Sequence, residues 1–102
     1  PIYNMALSYL RKGDYEKALE EYKKGLQTDK NLEIIDYAIA DLKQEMNKAP
    51  VLKGGHFALG ILYEGKGKKK EARQYFEMHV QKNPGGIWGK EAKEHLAELT
   101  KK

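Results

Sequence analysis

Residues 59–76 read LGILYEGKGKKKEARQYF, and residues 5–22 read MALSYLRKGDYEKALEEY. Aligned, the two stretches share one skeleton. Ala6, Tyr9, Gly13, Ala18 and Tyr22 of the first answer to Gly60, Tyr63, Gly67, Ala72 and Phe76 of the second. The steps are three, four, five and four residues in both, and the second copy continues to Pro84. Small residues recur where two helices must come close, aromatics where a gap must be filled, and a glycine where the chain must turn. A helical hairpin written twice is the signature of a repeat scaffold that binds and seldom catalyses.

Working outward, Ala, Leu, Glu, Lys and Gln dominate, Val and Thr are scarce, and no apolar–polar alternation appears. The fold class is therefore all-α. A first helix is expected over about Pro1 to Lys12, with Ile2, Met5, Ala6, Tyr9 and Leu10 apolar and Gly13 ending it. A second, capped by Asp14, runs to about Gln27 and buries Ala18, Leu19, Tyr22 and Leu26. A third, about Leu32 to Asn47 with Asn31 as cap, carries Ile35, Ile39, Leu42 and Met46 on one stripe. Pro50 and Gly54-Gly55 break the chain. A fourth spans about His56 to Glu64 and a fifth about Lys69 to Lys82, with Ala72, Tyr75, Phe76 and Val80 inward. Pro84-Gly85-Gly86 stops it, and a last helix covers about Ile87 to Leu99, with Trp88 a core anchor beneath it.

These residues resemble the tetratricopeptide repeat, a 34-residue helical pair with a Leu-Gly, a Tyr, a turn Gly, an Ala, an aromatic and a closing Pro. The second copy matches as Leu59-Gly60, Tyr63, Gly67, Ala72, Phe76 and Pro84. The first matches as Met5-Ala6, Tyr9, Gly13, Ala18 and Tyr22, with Lys30 where the Pro would stand. The resemblance implies a single domain over 1–102: repeat 1 about 1–31, an inserted helix about 32–48, repeat 2 about 52–84, and a capping helix about 87–100. The copies lie 54 residues apart (Gly13 to Gly67), beyond one repeat length. The inserted helix is expected either to space the repeats or to fill their groove. The last helix also resembles the ends of bacterial tetratricopeptide proteins.

In that family the first helix of each pair lines a concave groove. Carried over by position, the partner-binding face is Tyr3, Leu7, Leu10 and Arg11, then Phe57, Ile61 and Glu64. The family's carboxylate clamp uses Lys and Asn at positions that here hold Tyr3, Leu7, Phe57 and Ile61, so the clamp is absent. The function implied is a protein-interaction scaffold that takes an apolar or amphipathic peptide of a partner. The alternative is self-association, with repeats of two copies stacked into a homo-oligomer.

Chemistry is sparsely provided. The chain has 102 residues and no cysteine, so disulfides and thiolate metal sites are excluded. Ser8 is its one serine and has no nucleophile-elbow context. Gly55 and Gly60 have phosphate-loop spacing, but Ile61 follows where Lys is required. His56, His79 and His95 are scattered, and Glu91 with His95 gives at most two metal ligands. The reading is of no enzyme, no cofactor and no metal. The net charge of +4 comes from mixed signs, which fits solvated helices better than a nucleic-acid stripe. The Lys66–Lys70 turn is read as a solvated turn ahead of an RNA or membrane-surface contact. No apolar run approaches the roughly 20 residues that cross a bilayer. The chain opens on Pro1 without an initiator Met, which reads as a processed or truncated chain whose signal or anchor could lie upstream. The compartment is left open between cytoplasm and bacterial periplasm.

Overall fold

The computed structural model describes residues 3–29, 31–48, 52–86 and 88–101. The readings made for Pro1, Ile2, Lys30, Pro50 and Ile87 lie outside them. Six helices follow in order: α1 (Asn4–Lys12), α2 (Tyr15–Thr28), α3 (Ile35–Lys48), α4 (Gly55–Gly65), α5 (Lys69–Lys82) and α6 (Gly89–Leu99). No strand occurs among the described residues.

The two copies make the same turn. Gly13 and Gly67 both stand at φ +81°, a left-handed conformation that glycine adopts without steric cost. The Gly13 N–H donates to the Leu10 carbonyl and the Asp14 N–H to that of Tyr9. In the second copy the Gly67 N–H donates to Glu64 and the Lys68 N–H to Tyr63, the same bonds displaced by 54 residues. Asp14 caps α2 by accepting from the Lys17 N–H at 3.3 Å. Lys68, its counterpart, makes no side-chain cap.

The start of α3 departs from expectation. The helix begins at Ile35, not near Leu32, and Leu32 itself adopts φ +53°. The cap is Asp29 in place of Asn31. The Asp29 carboxylate accepts from the Glu33 N–H at 2.9 Å and the Ile34 N–H at 3.0 Å. A carboxylate at a helix N-terminus satisfies donors that have no intrahelical partner and complements the local dipole. The bend at Leu32 brings residues 33 and 34 back to it.

The inserted helix decides how the copies are arranged. Tyr15 and Leu26 of α2 lie against Gly54 and Gly65, at the two ends of α4, in the same order, so α2 and α4 run parallel. Phe57 meets Trp88 and Glu64 meets His95, so α4 and α6 run parallel. Met46 lies against Gly55, whereas Asp36 pairs with Lys66 beyond the other end of α4, so α3 and α4 are antiparallel. Helices therefore alternate in direction along the chain. Two tandem copies with no insertion would place equivalent helices two apart and parallel. One extra helix places them three apart, and α4 runs opposite to α1.

This arrangement puts α4 at the centre, in contact with α2, α3 and α5 and touched by α6. Its middle stretch is apolar on every side, with Phe57, Ala58, Leu59, Gly60, Ile61 and Leu62 all buried, and the partly exposed His56, Tyr63 and Glu64 stand at its ends. A stretch without a polar face needs such surroundings. One hydrophobic core runs through all six helices, from Tyr3 to Ala92. At the α4–α5 crossing a β-carbon on Gly60 would come within 2.6 Å of the Phe76 ring. The pattern's small residue thus sets the distance between the helices of the second pair.

Candidate functional site

Of the seven residues expected on a groove, four are placed elsewhere. Phe57 is fully buried: its ring stacks on Trp88 at 4.5 Å between centroids and also meets Phe76, His79 and His95. Ile61 and Leu10 are likewise core residues. Glu64 is half-buried and accepts a 2.8 Å hydrogen bond from Nδ1 of His95. The physical reason is the odd helix count. With α4 inverted and central, its would-be groove face is covered by the chain's own helices.

The remaining three, Tyr3, Leu7 and Arg11, line the α1 side of an open cleft between α1 and α3. Arg11 on α1 donates to Glu45 on α3 at 2.8 Å. Tyr3, just before α1, donates its hydroxyl hydrogen to Asp29, just before α3, at 3.3 Å. Those two ties hold parallel helices with a gap between them. The gap is a groove of about 650 Å³ with Tyr22 at its floor. Met5 and Leu7 line one wall, Ile34, Tyr37 and Ala38 the other. Met5, Ile34 and Tyr37 are exposed, Tyr37 to 72%. Asp41, Gln44, Glu45 and Lys48 form a polar rim.

Electrostatics at the two ties follow from burial and pairing. Burial, and then the neighbouring Asp29 carboxylate, push the Tyr3 phenol up to about 12. It is therefore a neutral hydrogen-bond donor at ordinary pH. Tyr22 is shifted up as well, chiefly by burial. The hydrogen bond from Arg11 holds the Glu45 carboxyl below its ordinary value, and the same bond raises Arg11. Sequence reasoning missed Ile34 and Tyr37 because they follow the inserted helix's cap and belong to neither copy. Asp29 was the available signal: an acidic residue after the last turn of one helix and just ahead of an apolar stripe.

The other motifs are absorbed by structure. Lys66 pairs with Asp36 at 2.6 Å, which ties the turn to α3, while Lys68, Lys69 and Lys70 are exposed. His95 pairs with Glu64 and not with Glu91. Among the described residues no group of three or more His, Cys, Asp or Glu is placed to hold a metal ion, and no helix is long and apolar enough to cross a membrane.

A chain of alternating antiparallel helices with a twice-written hairpin and an open groove defines a helical repeat scaffold. The tetratricopeptide repeat family matches it at residues 2–32 and again at residues 55–77, and the chain belongs to that family. Residues 33–54, which include α3, fall between the two matches. Tetratricopeptide repeats are generally protein–protein interaction modules and typically non-enzymatic scaffolds. Neither a curated protein nor a solved structure matches the chain.

Proposed function

We propose that this chain binds a peptide segment of a partner protein in the groove between α1 and α3. One observation carries the reading. Of the four large hydrophobic residues exposed on the described surface, Met5, Ile34, Tyr37 and Met78, the first three gather on this groove. Single exposed apolar side chains are ordinary, but a cluster around a concavity marks an interaction surface. The partner segment that suits it is amphipathic: an apolar face for Met5, Ile34 and Tyr37, and charged flanks for Arg11, Lys48, Asp41 and Glu45. The groove is preformed, because Tyr3–Asp29 and Arg11–Glu45 fix its two ends. A preformed site spares the partner part of the ordering cost of association.

The test is partner capture with Tyr37→Glu and Met5→Glu chains. Both side chains are exposed, so the fold should stand while capture is lost. Undiminished capture would place the site elsewhere. Sedimentation of the unmodified chain separates a foreign partner from a second copy: a concentration-dependent dimer that Tyr37→Glu dissolves would assign the groove to self-association.

A further inference from the structure

Where α5 meets α6, one imidazole is sealed in without a partner. His79 is 4% exposed, and its ring packs on Phe57 at 5.6 Å between centroids. Its Nε2 is shut off from solvent and has no hydrogen-bond partner among the described residues. A neutral imidazole can leave that nitrogen as a bare lone pair, but a protonated one carries an N–H on both nitrogens. Protonation in place would therefore bury a charged donor without an acceptor, which costs more than a neutral one. The surroundings do not compensate. His56 and Lys53 face this region from α4 and the residues leading into it, Lys82 from the end of α5, and Tyr15 from α2. None of them is an anion at neutral pH. From α3 come Met46 and Asn47. Glu45, also on α3, shares a cleft with Lys53 and is already bound by Arg11.

The cover over His79 is slight, whereas the far half of α6 is firmly held. Tyr15, Gly54, Asn83, Gly86 and Trp88 wall a cleft of about 60 Å³ beside the ring. Pro84, Gly85 and Gly86 are exposed, and the Gly86 N–H reaches the Asn83 carbonyl only at 3.3 Å. Seven residues past Trp88, His95 stacks on Phe76 at 5.0 Å and donates from Nδ1 to Glu64 at 2.8 Å. The charged groups around His95 are Glu64 on α4, Glu91 on its own helix and Lys23 on α2, and the bond to Glu64 comes first in raising it. That tie keeps its proton as pH falls through the ordinary histidine range.

We propose that the α5–α6 joint is an acid-operated hinge: protonation of His79 lifts the Asn83–Gly86 turn and Trp88 away from α4, while the His95–Glu64 tie holds the rest of α6 in place. The motion uncovers the ring face of Phe57 on which Trp88 stacks. Burial, and then the His56 imidazole, hold His79 below the ordinary histidine value. The closed joint therefore binds fewer protons than the open one. It is favoured above about pH 6.5 and gives way as pH falls toward the folded value. His56 is lowered too, by burial and then by Lys82, but it is half-exposed and meets water where it stands.

Trp88 is the one tryptophan of the chain, so its fluorescence reports the joint directly. The test follows Trp88 emission and amide exchange of the full chain from about pH 8 to about pH 5. A red shift of Trp88 is expected, tracking the titration of the His79 imidazole resonance in NMR. Exchange protection at residues 83–86 and 88–92 should fall about tenfold per pH unit between the ordinary histidine value and the folded one, while α1 to α3 stay protected. His79→Phe should abolish the red shift, and His56→Gln should leave it in place. Trp88 emission unchanged to about pH 5, or a shift that does not track the His79 resonance, would overturn the proposal. So would a shift that survives His79→Phe, or equal loss of protection in α1 to α3.

Discussion

Phe57 stacks on Trp88 with 4.5 Å between ring centroids and an interplanar angle of 24°. The contact joins the leading helix of the second copy to the residue that opens α6. It occupies the face on which a tandem repeat would receive its partner. Phe57→Ala should therefore cost about 3–5 kcal/mol, the range for emptying a buried aromatic site. Chemical denaturation would measure it. A change below 1 kcal/mol, on the order of a surface substitution, would mean that Phe57 is not the core residue described.

Gly60→Ala probes the spacing of the second pair. The added methyl would meet Phe76, which is fully buried and has nowhere to move. A loss of about 1–3 kcal/mol is expected, as for other overpacked cores. The corresponding first-copy residue is already Ala6, and Tyr22 stands where Phe76 does. The two hairpins therefore differ in how closely their helices approach, and the tighter one contains the central helix.

Asp29→Ala removes the acceptor for the Glu33 and Ile34 N–H groups and for the Tyr3 hydroxyl. Losing a helix cap costs about 0.5–2 kcal/mol. Amide exchange should quicken first in the opening turn of α3, with the α4–α5 hairpin last to respond. The same change loosens the wall that carries Ile34 and Tyr37, so partner capture should fall with it.

Stability should peak near the ordinary histidine pKa of about 6.5. His95 is raised, first by its hydrogen bond to Glu64, so the folded chain holds that proton more tightly than the unfolded one. Its contribution is complete below the unfolded value and is lost as pH rises through the folded one. His56 and His79 are lowered, so protonation favours unfolding as pH falls below 6.5 toward their folded values. Melting temperatures across this range should fall on both sides. His95→Gln should flatten the alkaline side only; a persistent alkaline loss would remove His95 from the account.

The sequence-level reading and the structure agree where physics is local. The φ of Gly13 and Gly67, the Asp14 cap and the span of α5 all follow from residues within a few positions of one another. The α4 face fails for a non-local reason. Nothing in the residues around Phe57 or Ile61 signals that one unmatched helix, ending at Lys48, reverses the direction in which α4 runs. The all-apolar run from Phe57 to Leu62, broken only by Gly60, held the hint: a stretch with no polar side cannot line an open groove. Half of the groove was legible for the opposite reason. Tyr3, Leu7 and Arg11 belong to the leading helix of the first copy and its cap, which the repeat pattern describes, while Ile34 and Tyr37 come from the segment that it does not.

The most direct test of the account places a photo-reactive residue at position 37 and, in a separate chain, at position 78. Met78 is the one exposed large hydrophobic side chain among the described residues that lies away from the groove. Irradiation with the cell's native proteins should join a partner to position 37 and not to position 78, and Met5→Glu in the same chain should abolish the product. A partner joined from position 78 alone, or a position-37 product indifferent to Met5→Glu, would contradict the claim that the α1–α3 groove is the binding site.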